Sequence, residues 1–390
     1  MEKTYQVARE NAEYITAMRR DFHMHPEPSK EEFRTCERIV EELRGMGLEP
    51  RVVAVTGVVC DIRGDRPGKT IGLRADHDAL SVQELNEVPY KSKLDGMMHA
   101  CGHDGHAASL LGAARVLLAC RDQIRGTVRL LFQPGEEIGY GAKAMIKEGC
   151  LEGVDATFAI HLASGIPTGQ VDVAAGPKSA AASMFGYRLV GGPGHGASPH
   201  QGVDAGLCMS ACVLNLQSVV SREFDPMEPL VLTVGKLNSG TRWNVIASEA
   251  TFEGTVRTYN PKTFKKVPEA MDRIVNETAA AYRCQAERLF YEELTVPVVN
   301  PEQATARARR TVEKLLGESA VVSRPASAGG EDYSFMMEAV ADSILCNMGS
   351  GNPDKDSCHP HHSGRFDIDE EALVNSAAMY AQYSIDFLSE

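Results

Sequence analysis

The 390-residue sequence predicts an α/β protein with a mixed, largely parallel sheet and an inserted ferredoxin-like βαββαβ satellite domain. Two observations carry that reading. Through the first half, short apolar runs bounded by glycine, proline or charge alternate with segments of helical periodicity, as strands buried between helices do. Near residue 180 the order changes to strand, helix, strand, strand, helix, strand, and mixed patterns resume after Val296. A chain of this length also exceeds what one core serves. The expected organisation is a discontinuous, phosphorylase/hydrolase-like catalytic domain, residues 1–179 and 297–390, around a satellite at 180–296.

Each element has its own signal. Residues 5–24 and 31–46 carry apolar side chains at helical spacing. The second segment ends at Gly47-Leu48-Glu49-Pro50, a glycine cap followed by a helix breaker. Residues 52–59, 70–73, 127–132 and 156–160 are short apolar runs, read as buried strands. Residues 104–124 form a helix with Leu110, Leu111, Ala114, Leu117 and Leu118 on one face. In the satellite, strands are expected at 185–190, 229–236, 244–258 and 285–294, with helices at 204–222 and 261–283.

Charge and cysteine usage narrow the function. Lys and Arg number 40 against 53 Asp and Glu, a formal net charge of −13, which repels duplex nucleic acid and anionic membranes. No stretch reaches the ~18 apolar residues of a membrane span. The ten cysteines show no CxxC pairing and no secretory signal is visible, so reduced thiols and a cytoplasmic location are expected.

The chemistry lies in clustered histidines. In His99-Ala100-Cys101-Gly102-His103-Asp104-Gly105-His106, Cys101 and His103 sit two apart ahead of a helix, so their donor atoms can converge. Thiolate, imidazole and carboxylate are the ligands divalent transition metals take. Gln133-Pro134-Gly135-Glu136-Glu137 follows a strand, where α/β sheets open their ligand crevices. Adjacent carboxylates in extended backbone point to opposite sides, so one can bind metal while the other serves as general base. His161 ends the next apolar run, and His362 belongs to a late cluster with His359 and His361. Asp78, in Arg74-Ala75-Asp76-His77-Asp78, is placed to orient a ligating histidine. Cys101, His103, Glu137, His161 and His362 make five candidate ligands. One tetrahedral site takes four, so two ions sharing a donor fit better.

These segments together resemble the metal-dependent aminoacylase and carboxypeptidase family. The similarity is greatest to its branch of N-acyl-amino-acid amidohydrolases, hippurate hydrolases and auxin-conjugate hydrolases. It runs through RRDFHMHPEPSKEEFRT (Arg19 to Thr35), LRADHDALSVQE (Leu73 to Glu84), MHACGHDGH (Met98 to His106) and FQPGEE (Phe132 to Glu137). GHGASPHQGVDA (Gly194 to Ala205), GGEDYSFM (Gly329 to Met336) and HHSGRFDIDEEAL (His361 to Leu373) complete it.

The resemblance implies the same five metal ligands and Glu136 as general base. It further implies that His195 polarises the scissile carbonyl, from the partner subunit in several relatives, and that Asn244 and Arg257 hold the substrate carboxylate. It implies two divalent ions per chain (Zn, Mn, Co or Ni, with Zn or Mn foremost) and a homodimer or higher homo-oligomer through the satellite. The expected reaction is hydrolysis of N-acyl-L-amino acids with water, without nucleic acid or membrane partners. A dipeptidase or carboxypeptidase, a diaminopimelate-type deacylase and a silent metal-binding paralogue are the alternatives. The C-terminal motif departs from the family pattern: His361 stands where leucine is usual, and so competes with His362 as ligand.

Overall fold

The computed structural model describes residues 2–390. The chain falls into two compact units. The first comprises Met1–Gly176, Val299–Pro325 and Asp332–Glu390, and the second Pro177–Val298 with Ala326–Glu331.

The first unit is built on an eight-stranded mixed sheet. Its order is Arg51–Val53, Gly57–Arg63, Arg125–Gln133, Arg66–Asp76, Ala156–Pro167, Asp342–Gly351, Val171–Asp172 and Val321–Val322. The central pairings are parallel: Arg66–Asp76 with Arg125–Gln133 and with Ala156–Pro167, and the latter with Asp342–Gly351. Gly57–Arg63 joins one flank antiparallel. The central strands carry apolar runs at their middles because both faces are covered. Leu73, Leu130, Phe158 and Ile344 are fully buried, as parallel strands between helices are.

The helix His103–Ala119 is buried almost all round. It packs against Ala12–Met24 and Glu371–Ser389. Gly112 lets the first of these approach, since a Cβ there would meet Ile15 Cδ1 at 2.7 Å. Two tyrosines of Glu371–Ser389 reach the sheet. Tyr380 donates its hydroxyl to the Arg74 carbonyl at 2.7 Å, and Tyr383 stacks on Phe158.

Three expected elements differ. Residues 52–59 are not one strand but a hairpin, with Val53 facing Gly57 across a turn. Ala54 and Val55 take left-handed backbone there, a conformation that apolar residues seldom adopt, so no glycine or asparagine marks the turn. The long N-terminal helix is interrupted at Asn11, where Lys3–Glu10 ends and Ala12–Met24 begins. The run 244–258 breaks after Ile246, because Val245 and Ile246 pair with His195 and Gly194 rather than with the main sheet.

The second unit runs strand Ala181–Val190, helix Ala205–Ser218, strands Leu230–Ser239 and Glu249–Thr258, helix Pro261–Ala281 and strand Gln285–Thr295. The four strands form an antiparallel sheet ordered Leu230–Ser239, Glu249–Thr258, Ala181–Val190, Gln285–Thr295. Its core gathers Phe185, Tyr187 and Phe252 from the strands with Cys208, Cys212, Met271 and Val275 from the helices. Asp204 caps one helix through the N–H groups of Gly206 and Leu207; Asn260, followed by Pro261, caps the other. Among the described residues no helix is long and apolar enough to cross a membrane.

Candidate metal centre

In the first unit, strand ends deliver the side chains. Arg66–Asp76 and Arg125–Gln133 run parallel and finish side by side, Asp76 opposite Gln133. The first continues into Asp78 and the second into Glu136 and Glu137. The strand carrying His161 runs past it to Pro167, where the sequence suggested an end, and His161 pairs there with Asn347. Gly102, at φ +89°, turns the chain between Cys101 and His103 and starts the helix; a side chain there would be strained.

All five candidate ligands meet. Cys101 Sγ lies 3.7 Å from His161 Nε2. Glu137 Oε1 lies 3.8 Å from His103 Nε2 and 3.6 Å from His362 Nε2. Donors bound at 2.0–2.3 Å around a tetrahedral ion stand about 3.3–3.8 Å apart, so these spacings match shared coordination. His103 Nε2 and Glu137 Oε1 are buried without a hydrogen-bond partner, which a cation between them would supply. His361 also reaches the cluster, its Nδ1 3.6 Å from Cys101 Sγ, and its ring lies tilted against those of Phe366 and His161. Both late histidines therefore touch the donor set: His361 through Cys101, and His362 through Cys101 and Glu137.

The remaining ring nitrogens fix which face is presented. His103 Nδ1 is 3.1 Å from Asp78 Oδ1, and His161 Nδ1 is 2.7 Å from the Leu162 carbonyl. Both contacts require the proton on Nδ1, leaving the Nε2 lone pairs for the cluster. Asp78 also accepts from Ser29 Oγ at 2.7 Å and from the Glu137 backbone N–H at 3.1 Å, so one carboxylate aligns two ligands.

Electrostatics demand positive charge here. Burial disfavours a charged ring at His103, yet Asp76, Cys101 and Asp78 together push its pKa well above the ordinary value. Burial pushes the Cys101 thiol up despite the nearby His103, so a thiolate needs an adjacent cation. Burial, then repulsion from His161, pushes His361 down to about 2, keeping that ring neutral and its lone pair available. The donor set suits divalent metal.

Sequence reasoning left several supporting residues without a role. Asp76 is fully buried, with Oδ2 3.6 Å from His103 Nε2, 2.8 Å from Arg74 Nη1, and Oδ1 on His106 Nδ1. His106 Nε2 in turn accepts from the Leu162 N–H at 2.8 Å, holding the strand next to the candidate ligand His161. Asp332, inside the quoted GGEDYSFM motif, bonds to Gln133 and Arg74. Histidine content flagged His106; nothing local flags the others. His77 faces the Thr56 carbonyl at 3.1 Å and takes no part.

The comparisons with known proteins fit this centre. The profile described as Peptidase family M20/M25/M40 matches residues 72–386. The chain belongs to that family. The M20 chain is 41% identical over 295 residues to an N-acyl-L-amino acid amidohydrolase of Geobacillus stearothermophilus, covering 75% of this chain and 80% of the relative. It is 36% identical to thermostable carboxypeptidase 2 of Saccharolobus solfataricus, over 99% of this chain and 98% of that one. A Bacillus subtilis protein, described as a dinuclear metal-binding peptidase of the M20 family, superposes with TM-score 0.85 at 33% identity, over 98% and 99% of the two chains. This M20 member is a metal-dependent amidohydrolase, a hydrolytic enzyme acting on amides, and the silent-paralogue alternative falls.

The three substrate candidates lie in the second unit. His195 is exposed on the short ribbon with Val245, and its Nδ1 accepts from the Ala197 N–H at 3.1 Å. Asn244 borders the same ribbon, its carbonyl accepting from Gly196 N–H at 3.0 Å. Its side-chain Oδ1 is buried without a partner. Arg257 sits apart, in the main sheet between Val231 and Ala182.

Proposed function

We propose that the enzyme hydrolyses N-acyl-L-amino acids to a carboxylate and a free amino acid, with Glu136 as general base. The observation that carries this reading is the five-donor cluster with a second carboxylate, Glu136, within reach of His103 and Glu137. The ligands proposed are Cys101, His103, Glu137, His161 and His362. Bound divalent ions would lower the pKa of water and polarise the substrate carbonyl.

The chain's own residues do the rest. Glu136 takes a proton from the attacking water at a carboxylate oxygen and delivers it to the leaving nitrogen as the C–N bond breaks. Asp78 keeps the His103 ring turned toward the cluster. In the second unit, read as the satellite domain, His195 steadies the charge that develops on the carbonyl oxygen. Asn244 and Arg257 hold the amino-acid carboxylate, arginine through paired bonds to both oxygens. Zinc suits the thiolate and manganese the carboxylate; both belong to the reading.

The test is a release assay over a matrix of acyl groups and amino acids, with zinc and manganese added back separately. N-acetyl or N-benzoyl amino acids should turn over at least about tenfold faster, in kcat/KM, than free dipeptides. Dipeptides as the better substrates would move the enzyme to the carboxypeptidase reading that the archaeal relative favours.

His195 supplied by a partner subunit requires a homo-oligomer assembled through the satellite. Mixing His195→Ala chains with Glu136→Gln chains should then recover part of the activity that each lacks alone. No recovery in mixed oligomers, or a fully active monomer in sedimentation, removes the trans assignment.

A further inference from the structure

The segment bearing Glu136 and Glu137 is a tight turn. Gly135 and Gly139, at φ +59° and +63°, flank the pair in left-handed backbone. Three turn bonds close it: Gly139 N–H to Glu136 carbonyl, 2.8 Å, and Tyr140 and Gly141 N–H to Gly135 carbonyl, 3.1 and 3.2 Å. Three buried carboxylates hold this segment from outside. Glu32 accepts from Gly135 N–H at 2.9 Å, and Asp78 from Glu137 N–H at 3.1 Å. Asp332 accepts from Ala142 N–H at 3.1 Å and from Gln133 Nε2 at 2.7 Å, gripping the segment at both ends.

Asp332 differs from the other two by also reaching the reacting carboxylate. Its own N–H donates to Glu136 Oε1 at 3.2 Å. Its carboxylate is fixed further by Arg74 Nη2 at 3.1 Å; Arg74 Nε also donates to Gln133 Oε1 at 2.9 Å. Both Arg74 and Asp332 are buried within the first unit. One side chain thus ties the strand end before the turn to the helix start after it, while the same residue's backbone meets the carboxylate between them.

From this geometry we infer that Asp332 is the positioning residue of the general base, setting where the Glu136 carboxylate stands relative to the attacking water. The inference rests on the reading of Glu136 as base, and deepens it. Asp332 meets the base by its backbone N–H, while its carboxylate holds the segment around it. It acts through the turn it spans, and a base displaced by about 1 Å costs on the order of 10²-fold in rate.

The experiment is a graded pair, Asp332→Asn and Asp332→Ala. Asparagine keeps one acceptor for the three donors; alanine keeps none. Expected are two retained metals per chain, KM within about threefold of wild type, and kcat lowered about tenfold for asparagine and about 10²-fold for alanine. A crystal structure of Asp332→Asn should show the Glu136 carboxylate moved while His103 and Glu137 stay in place. If both variants keep kcat within about threefold of wild type, or if kcat falls only in step with metal content, the inference is overturned.

Should neither variant fold, Gln133→Leu decides. It removes one donor to Asp332, and is expected to lower kcat about tenfold at constant KM; no change overturns the inference. Glu136→Gln measured alongside separates the two failures. An active Glu136→Gln sinks the base itself. An inactive Glu136→Gln beside fully active Asp332 variants sinks the positioning role alone.

Discussion

Replacing Glu136 by glutamine is expected to leave a folded, metal-loaded protein whose kcat is about 10³–10⁴-fold below wild type, the upper range for loss of general base catalysis. The substitution keeps shape and removes the basic oxygen. Glu136 shares the neighbourhood of His103 and Glu137, while Glu137 supplies the oxygen that sits between His103 and His362. The two carboxylates should therefore fail in different ways. Glu137→Gln is expected to lose metal, and Glu136→Gln to keep it. Turnover and bound metal measured on the same samples decide the matter. A Glu136→Gln enzyme within about tenfold of wild-type kcat would remove the base assignment, since that loss is below what general base catalysis supplies.

The largest expected effect on stability comes from Arg19. Its guanidinium is fully buried, donating to Asp104 at 2.8 Å and to Asp367 at 2.7 Å, with Tyr90 beneath it. His23 Nδ1 lies 2.7 Å from the same Asp104 oxygen. Burial opposes ionisation of Asp104, but Arg19 and then His23 hold its carboxyl well below the usual range. Arg19→Met removes the cation and keeps the bulk, leaving two carboxylates to face a dry interior. Breaking one side of a buried pair costs about 3–5 kcal/mol. Denaturant titration read on the first unit's transition should show that loss as a lower midpoint at unchanged slope. A loss below about 1 kcal/mol would mean that the site is wetter, or the pairing weaker, than these distances imply. Asp104 directly follows the proposed ligand His103 and caps no backbone group by its side chain, so the pairing also fixes how the helix enters the centre.

How far the centre was legible in the sequence follows from what each residue does. Glu136 and Glu137 announce themselves just beyond a strand end, Cys101 and His103 by their spacing at a helix start, and His161 within an apolar strand run. Asp76, Glu32 and Asp332 are ordinary acids in sequence. Their importance comes from hydrogen bonds spanning great separations, Asp332 to Gln133 and Glu32 to Gly135 among them, and only the folded chain reveals such partners. The late histidines show a different limit. Motif register favours His362, yet both it and His361 reach the donors, because the left-handed backbone at His362 turns the two rings toward one cluster. The alternation of elements gave away the mixed sheet. The hairpin at residues 51–63 stayed hidden because its turn is built from alanine and valine, whose preferences argue for an uninterrupted strand.

The Tyr380 hydroxyl, bonded to the Arg74 carbonyl and to the Ile160 N–H, has a consequence for biosynthesis. The two innermost strands are pinned by a helix whose Tyr380 follows its partners on them by 220 and 306 residues, and the late histidines emerge from the ribosome only shortly before that helix. A nascent polypeptide would carry Cys101, His103, the glutamates and His161 through the synthesis of the whole second unit without the contacts that finish their cage. Cation loading would then wait for these late segments, and products cut short before His361 would neither retain ions nor hydrolyse amides.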